Sequence, residues 1–349
     1  MSNNKILNIA IIGLGSIGKR HITAIDEVDN INLCGVVDLD LQAELFCKSK
    51  KLPYFNNLKT LTNEFHIDGV IISTPTILHF GIAVEALNLG LDVLIEKPIS
   101  ATVKEALEII SVAKKQGCKV LVAHQRRFYP LVLKTKEIIN SGKIGQVIGL
   151  SGIWGLKKDI EYFSPSWRKE ISAGPVITNL IHEIDCLRFI FGEIKAVSSF
   201  SSNSVRGFKK EDIVSVNLKF KSGILGNFLI TDSGSSPWSW ETDLGENISL
   251  PKLGENSVRI IGTEGSLEFP NIKLWSYKNK KINNDWKDDI FKEDISSLEV
   301  DPYVAQLLHF KDVILRKTEP LTNAKDAMET LKVAISILDS ADNNKIINI

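Results

Sequence analysis

At 349 residues the chain is longer than one core usually serves, and two domains of roughly 100–200 residues are predicted. Lys plus Arg equal Asp plus Glu at 42 each, which removes the broad positive field that non-specific nucleic-acid binding requires. Hydrophobic residues at 44% and charged residues at 24% argue against a disordered or fibrous chain, and no stretch approaches the roughly 20 apolar residues of a membrane span.

The first residues, MSNNKILNIAIIGLG, run from a short apolar segment straight into glycines without a signal-peptide cleavage site, so a cytoplasmic location is expected. Within them the β-branched run from Lys5 to Ile12 predicts a strand. A glycine turn follows, and Ile17, Ile25 and Val28 then mark the core side of a helix. The apolar run Ile31 to Val37 predicts a second strand ending on Asp38, and a helical segment from Leu41 to Lys51 stops before Pro53. Together these make a βαβ unit with parallel strands and a right-handed crossover. Gly69 to Ser73 reads as a strand, Thr76 to Leu89 as a helix closed by Gly90, and Asp92 to Glu96 as a further strand. Thr102 and Glu105 form a capping box for a helix ending at Gly117, and Lys119 to Ala123 is one more buried strand. Residues 1–124 are therefore predicted to be a Rossmann domain, an α/β doubly wound parallel sheet.

Beyond His124 the rhythm changes to a helix over 131–140, a strand over 146–153, an irregular loop rich in Trp and Ser, and a helix over 176–191. Strands at 194–201, 212–220 and 224–232 follow, with a tight turn at Lys221, Ser222 and Gly223. The stretch from Ser233 to Asn256, rich in Gly, Ser, Pro and Trp, is long enough to be a functional loop. Helices at about 303–316 and 323–340 end the chain and are expected to pack back toward the first domain. Residues 125–349 thus read as an α+β domain with a large, mostly antiparallel open sheet covered by helices on one face. Cys34, Cys47, Cys118 and Cys186 are far apart and form no CxxC pair, so reduced, packed thiols and no metal site are expected.

In the first turn Gly13 permits the tight bend, Gly15 lets backbone approach a pyrophosphate, and Gly18 lets the helix pack closely on the strand, with Ser16 and Ile17 at the helix N-terminus facing the anion. Asp38 follows 20 residues after Gly18, where a carboxylate accepts hydrogen bonds from ribose hydroxyls and opposes a 2′-phosphate. NAD is expected as cofactor, while Lys19 and Arg20 keep NADP open. Ser73, Thr74, Pro75 and His79 stand where the carboxyl ends of the strands gather around a dinucleotide. Thr76 reads as a helix N-cap, a role that can coexist with binding cofactor, and His79 as either ligand or structural residue.

Glu96, Lys97 and Pro98 end a buried strand on the same edge. A lysine there is costly to bury unless its charge has work to do: stabilising an alkoxide or shuttling its proton beside the nicotinamide, oriented by Glu96. The Gly13 turn, Glu96-Lys97-Pro98, the segment from His124 to Pro130 and the helix around His182 together resemble the Gfo/Idh/MocA oxidoreductases, the family of glucose-fructose oxidoreductase and inositol dehydrogenase, over nearly the whole chain. The resemblance implies NAD(P)-dependent oxidation or reduction of a CH-OH group, a catalytic Lys97 followed by a cis peptide to Pro98, and a homodimer or homotetramer built through the C-terminal sheet. It also implies an aspartate four residues before His182 in a proton relay, and here that position is Thr178. The proton then rests with His182 and Lys97, and Asn179, on one helical face with His182, orients a hydroxyl. Asp185 is a candidate partner for His182.

His124, Arg126, Arg127 and Tyr129 lie at the handover between domains, a position suited to substrate. One arginine is expected to face substrate and the other to bridge domains. Trp154, Trp167 and Arg168 read either as core or as a stacking platform and an anion clamp, and Pro237, Trp238, Ser239, Trp240 and Glu241 as a lid or a subunit contact. The expected activity is hydride transfer between nicotinamide and a carbinol or carbonyl carbon of a sugar, cyclitol or related polyhydroxy, even acidic, small molecule. Its alternatives are a catalytically silent NAD(P)-binding sensor and a lyase or glycosidase that oxidises its substrate transiently.

Overall fold

The computed structural model describes residues 5–247, 249–277 and 285–349. In chain order the first elements are β1 (Leu7–Ile12), α1 (Ser16–Asp26), β2 (Ile31–Val37), α2 (Leu41–Lys50), β3 (Tyr54–Phe55), α3 (Leu58–Glu64), β4 (Gly69–Ile72), α4 (Thr76–Asn88), β5 (Asp92–Glu96), α5 (Val103–Gln116) and β6 (Val120–Ala123). They form a six-stranded parallel sheet in the order β3-β2-β1-β4-β5-β6. Strands β4, β5 and β6 are buried along their whole length, as expected of parallel strands covered on both faces. The order reverses between β1 and β4, and this switch point opens the crevice where doubly wound sheets take ligands.

Local chemistry sets the helix ends. Asp40 caps α2 by accepting from the Gln42 N–H, and the Thr102–Glu105 capping box starts α5, which Gly117 closes at φ 67°. At α4 the structure differs from the sequence reading: Pro75 is the N-cap and Thr76 the first helical residue, because the fixed extended backbone of Pro75 already delivers the chain into the helix. The short β3 and α3 escaped the sequence pattern, since two and seven residues are too few to show a period.

The next elements are α6 (Pro130–Asn140), β7 (Val147–Gly155), a π turn (Val176–Leu180), α7 (Ile181–Phe191), β8 (Ile194–Ser202), β9 (Ile213–Phe220), β10 (Leu225–Thr231), α8 (Trp240–Leu244), β11 (Val258–Gly262), β12 (Gly265–Phe269), β13 (Lys273–Tyr277) and β14 (Ile290–Asp294), followed by α9 (Pro302–Ile314), α10 (Ala324–Asn343) and β15 (Ile347–Asn348). The second sheet has nine strands in the order β14-β13-β12-β11-β7-β10-β9-β8-β15, and only the β7–β10 pair is parallel. Val214, Val216, Leu218, Phe228 and Ile230 point from one face into the core with residues of α6, α7 and α10, while Phe200, Leu225, Leu229 and Ile261 stand exposed on the other. Strands β11 to β14 were not foreseen, because each has five residues and its alternation is interrupted by Gly, Ser or Lys.

The chain divides into two compact units, Met1–Phe128 with Val300–Leu331, and Tyr129–Glu299 with Lys332–Ile349. In the first, α9 packs on α1, bringing Leu307 and Phe310 into the core of Ile9, Ile11, Ile71 and Leu94. Among the described residues no helix is long and apolar enough to cross a membrane.

In the second unit the expected lid or subunit contact around Trp240 gives way to core. Ser239 caps α8, and the fully buried Trp240 packs edge-on against Tyr129 at 5.4 Å and tilted against Phe269 at 5.5 Å. Trp154 is equally buried and its Nε1 donates to Glu241 Oε2 at 2.8 Å. Nearby, burial pushes the Asp243 carboxyl from an ordinary 3.8 up to about 7, opposed by Ser257 and reinforced by the charges of Glu183 and Glu241. A carboxyl raised by folding contributes stability below its ordinary value that is lost as pH rises through the folded value, here about 7. Asp243→Asn should therefore raise the melting temperature at about pH 8 by about 2–4 °C, and by less in acid, in scanning calorimetry.

Candidate active site

The carboxyl edge of the parallel sheet collects the expected residues of the first unit. Gly13 ends β1 at φ 94°, and a Cβ there would lie 2.8 Å from the backbone of Ser73 and Thr74. A Cβ on Gly18 would fall 2.2 Å from the Gly13 carbonyl oxygen. The turn is tied down by the Gly13 N–H to Val37 O at 2.9 Å and by Ser73 Oγ, which donates to Gly13 O at 2.7 Å. At Gly15 a Cβ would meet nothing within 4 Å. The neighbouring N-terminus of α1, at Ser16 and Ile17, has no side-chain cap and no acid in its first turn. Open space before uncapped amides fits a pyrophosphate, so the residues present suit a dinucleotide.

Asp38 Oδ2 accepts from the Leu14 N–H at 2.5 Å, and Oδ1 accepts from Leu39 and Asp40 N–H at 2.7 and 2.9 Å. The carboxylate thus braces the glycine turn against the end of β2 and retains acceptor capacity for hydroxyls. Leu39, Leu41, Ile77 and Leu78 are exposed along the same edge and were missed by the sequence reading; their signal is apolar residues at strand ends rather than in a periodic face. Lys19 lies over the Phe46 ring at 4.9 Å, while Arg20 pairs with Asp301 and lies over the Tyr303 ring at 4.6 Å.

His79 is buried with Nδ1 2.8 Å from Pro98 O and Nε2 2.8 Å from Thr74 O, so it bridges the turn after β4 to the turn after β5. Burial lowers its pKa from the ordinary 6.5, against the pull of those two carbonyls. Glu96 is buried, and its Oε1 meets His21 Nε2 at 2.9 Å. Burial opposes its ionisation, but the His21 hydrogen bond, with the His21 and Lys97 charges, outweighs that and holds the carboxyl below its ordinary value. Glu96 Oε2 accepts from the Lys97 N–H at 3.3 Å. Lys97 itself is half-buried at the end of β5, and the Lys97–Pro98 peptide is cis.

Beyond β6, His124 and Arg126 are buried in and before a short 3-10 turn, and Arg127 donates to Asp326 Oδ2 at 2.5 Å. Pro75 is exposed and Thr74 half-buried.

In the second unit Tyr129 donates to Glu246 Oε1 at 3.1 Å. The predicted continuous helix 176–191 instead opens with the π turn, whose wider coil leads directly into α7 at Ile181, one residue before His182. Thr178 Oγ1 lies 2.9 Å from Gly174 O and 2.9 Å from Asn179 Oδ1, and Lys158 Nζ donates to the same Asn179 oxygen at 3.0 Å. His182 and Asp185 are both buried on α7. Arg168 donates to Tyr162 O at 2.6 Å and stacks over that ring, whereas Trp167 is 56% exposed. Lys158 and Tyr162 were not singled out from sequence. A lysine in a loop carries no pattern that distinguishes it from a solvated one.

The matching family models are the oxidoreductase family NAD-binding Rossmann fold over residues 7–124 and the oxidoreductase family C-terminal alpha/beta domain over residues 136–349. A scyllo-inositol 2-dehydrogenase (NAD+) of Bacillus subtilis is 26% identical over 342 residues, 96% of this chain and 94% of that protein. An Agrobacterium radiobacter oxidoreductase solved with NAD+, L-tartaric acid and magnesium superposes with a TM-score of 0.83 at 16% identity over 99% of this chain and 98% of that one. The WlbA dehydrogenase of Bordetella pertussis, solved with NADH and UDP-GlcNAcA, gives 0.81 at 18% identity over 99% and 98%. Both domain models, in order and over nearly the full length, place the chain in the Gfo/Idh/MocA family of NAD-binding oxidoreductases.

Proposed function

We propose that the protein transfers a hydride between the nicotinamide of NAD and a CH-OH or carbonyl carbon of a sugar, cyclitol or related polyhydroxy small molecule. The observation that carries this reading is that Gly13, Asp38 and Lys97 share one sheet edge, with the Lys97 backbone held by Glu96 and Pro98 by His79. An alcohol carbon that loses hydride must release its hydroxyl proton, and NAD when bound supplies the hydride acceptor. Lys97 stabilises the oxyanion through its ammonium, and His182 takes up or returns the proton.

NAD is favoured over NADP because the Asp38 carboxylate opposes a 2′-phosphate, while Arg20 is engaged by Asp301 and Lys19 lies over Phe46. His124, Arg126, Arg168, Trp167 and Asn179 are assigned to substrate; Arg127, held by Asp326, serves structure. Through the open face bearing Phe200, Leu225, Leu229 and Ile261 the protein forms a homodimer or homotetramer.

The test is absorbance of NADH and NADPH with a panel of sugars, cyclitols, sugar acids and cyclic diols. Turnover with NAD on one chemical group supports the reading. NAD binding without turnover on any of them would instead favour a silent sensor, the reading that Thr178 supports through its lack of a carboxylate.

A further inference from the structure

We propose that His21 is a positioning residue of the reaction: through Glu96 it ties the helix of the glycine turn to the strand that ends in Lys97, and so fixes the lysine backbone where the ammonium must act. The proposal rests on the reading of Lys97 as the catalytic lysine and adds the residue that sets it.

Strand β5 is apolar before its last residue, with Val93, Leu94 and Ile95 fully buried, and then turns to Glu96, whose side chain is 10% exposed. His21 on α1 is 1% exposed and brings Nε2 to 2.9 Å from Glu96 Oε1. The other oxygen, Oε2, accepts from the Lys97 N–H at 3.3 Å. The pairing of β5 with β6 ends at Glu96 opposite Ala123, so the carboxylate takes over where the ladder stops. One carboxylate thus divides its two oxygens between a helix and the backbone of the lysine. Burial opposes the charge on Glu96, but His21 from α1, Lys97 from the end of its own strand and His79 from α4 all face it and together hold the carboxyl below its ordinary value. An ionised carboxylate only accepts, so His21 Nε2 carries the hydrogen. The imidazole is itself held. Tyr303 of α9 lies edge-on to it at 5.4 Å, and that ring in turn lies under the guanidinium of Arg20, which pairs with Asp301 at the N-cap of α9.

A buried hydrogen-bonded pair is weak evidence of stability, since two apolar side chains of similar volume commonly serve as well or better. What distinguishes this pair is its place. It stands one residue from Lys97 and on the helix whose uncapped N-terminus faces the pyrophosphate site, so the element that receives the nucleotide is hydrogen-bonded to the element that presents the lysine. On the other side of Lys97, His79 Nδ1 meets Pro98 O at 2.8 Å. The lysine backbone is therefore held before and after, and neither of these bonds uses its ammonium. A misplacement of about 1 Å at a reacting group can cost about 100-fold in rate while binding survives.

The experiment compares full-length wild type with His21→Gln, His21→Asn and the double variant His21→Leu/Glu96→Leu. Glutamine places an amide N–H where imidazole Nε2 stands, whereas asparagine places it near Nδ1 and falls short of Glu96. Two leucines remove the bond without stranding a charge. Initial rates of NADH formation are read with myo-inositol, scyllo-inositol, D-glucose and D-gluconate, and NADH affinity by fluorescence. The Lys97 amine is read by NMR in the NAD complex after reductive methylation with labelled formaldehyde, its resonance assigned by loss in Lys97→Met. His21→Asn and the double variant should lower kcat about 10–100-fold with NADH affinity and KM within about 3-fold, and His21→Gln should recover kcat to within about 5-fold of wild type. The double variant should keep its melting temperature within about 4 °C of wild type, so that its slow turnover is not a loss of fold. The Lys97 resonance should be single and narrow in wild type and His21→Gln, and at least about twice as broad, or split, in the other two. An unchanged kcat or an unchanged Lys97 resonance in His21→Asn overturns the proposal, as does an equal loss in His21→Gln. Should the double variant unfold, the contrast between glutamine and asparagine decides alone, and a wild type that turns over none of the four compounds leaves the resonance to decide. Normal turnover in Lys97→Met removes the lysine reading itself, whereas loss in Lys97→Met with none in His21→Asn removes only the role of His21.

Discussion

Lys97→Met is expected to lower kcat by about three to four orders of magnitude, at the upper end of what a positioned acid–base or oxyanion group contributes. Methionine keeps the length and apolar character of the lysine stem, so packing at the end of β5 is preserved while the charge is removed. The surroundings favour a clean result. The backbone of Lys97 is held through Glu96 Oε2, and the next residue through His79, and neither bond uses the ammonium. NADH affinity by fluorescence should change only a few-fold, which separates loss of chemistry from loss of cofactor. Near-normal turnover in this variant would remove Lys97 from the mechanism.

Gly18→Ala is expected to weaken NAD binding by at least about 100-fold and to destabilise the first unit by about 1–3 kcal/mol. The new Cβ would fall 2.2 Å from Gly13 O and 3.1 Å from Ser73 Oγ. That carbonyl cannot swing aside, because Ser73 Oγ holds it and Gly13 occupies a conformation that other residues avoid. The N-terminus of α1 must lift instead, moving its amides away from the anion they face. Gly15→Ala offers the comparison: its Cβ meets no protein atom, so it should leave the melting temperature nearly unchanged while still hindering the nucleotide. NADH titration and thermal unfolding of the two variants distinguish protein packing from ligand approach.

The contrast between these glycines shows what a sequence discloses. The first unit was legible because each strand is followed by the residue its sheet edge requires, and Gly13, Asp38, Ser73 and Lys97 all come where buried runs stop. Helix ends were equally readable where a cap is a local hydrogen bond, as at Thr102 and Glu105. The second unit was less so. Its five-residue strands β11 to β14 are too short for alternation to stand out, and Trp240 looked like a loop aromatic because burial by Tyr129 and Phe269 is a long-range fact. The π turn at Val176–Leu180 was invisible for another reason: its residues have ordinary helical character, and the extra residue per turn shows only in the backbone. Lys158 acquires its setting from Asn179 and Asp232, 21 and 74 positions away in the chain.

His21 and Glu96 carry a consequence for rebuilding the protein. The imidazole stands on the helix that begins at the glycine turn, and the carboxylate stands on the strand that ends in Lys97; their 2.9 Å bond is buried, with the Tyr303 ring edge-on against the imidazole at 5.4 Å. A chimera that imports a foreign glycine-turn helix to change nucleotide preference imports a new position 21 with it. If that residue cannot bond Glu96, a buried carboxylate is stranded one residue from the lysine. Recombination within this fold therefore succeeds most readily when positions 21, 96 and 303 are inherited as one block, although they lie in three separate stretches of the gene.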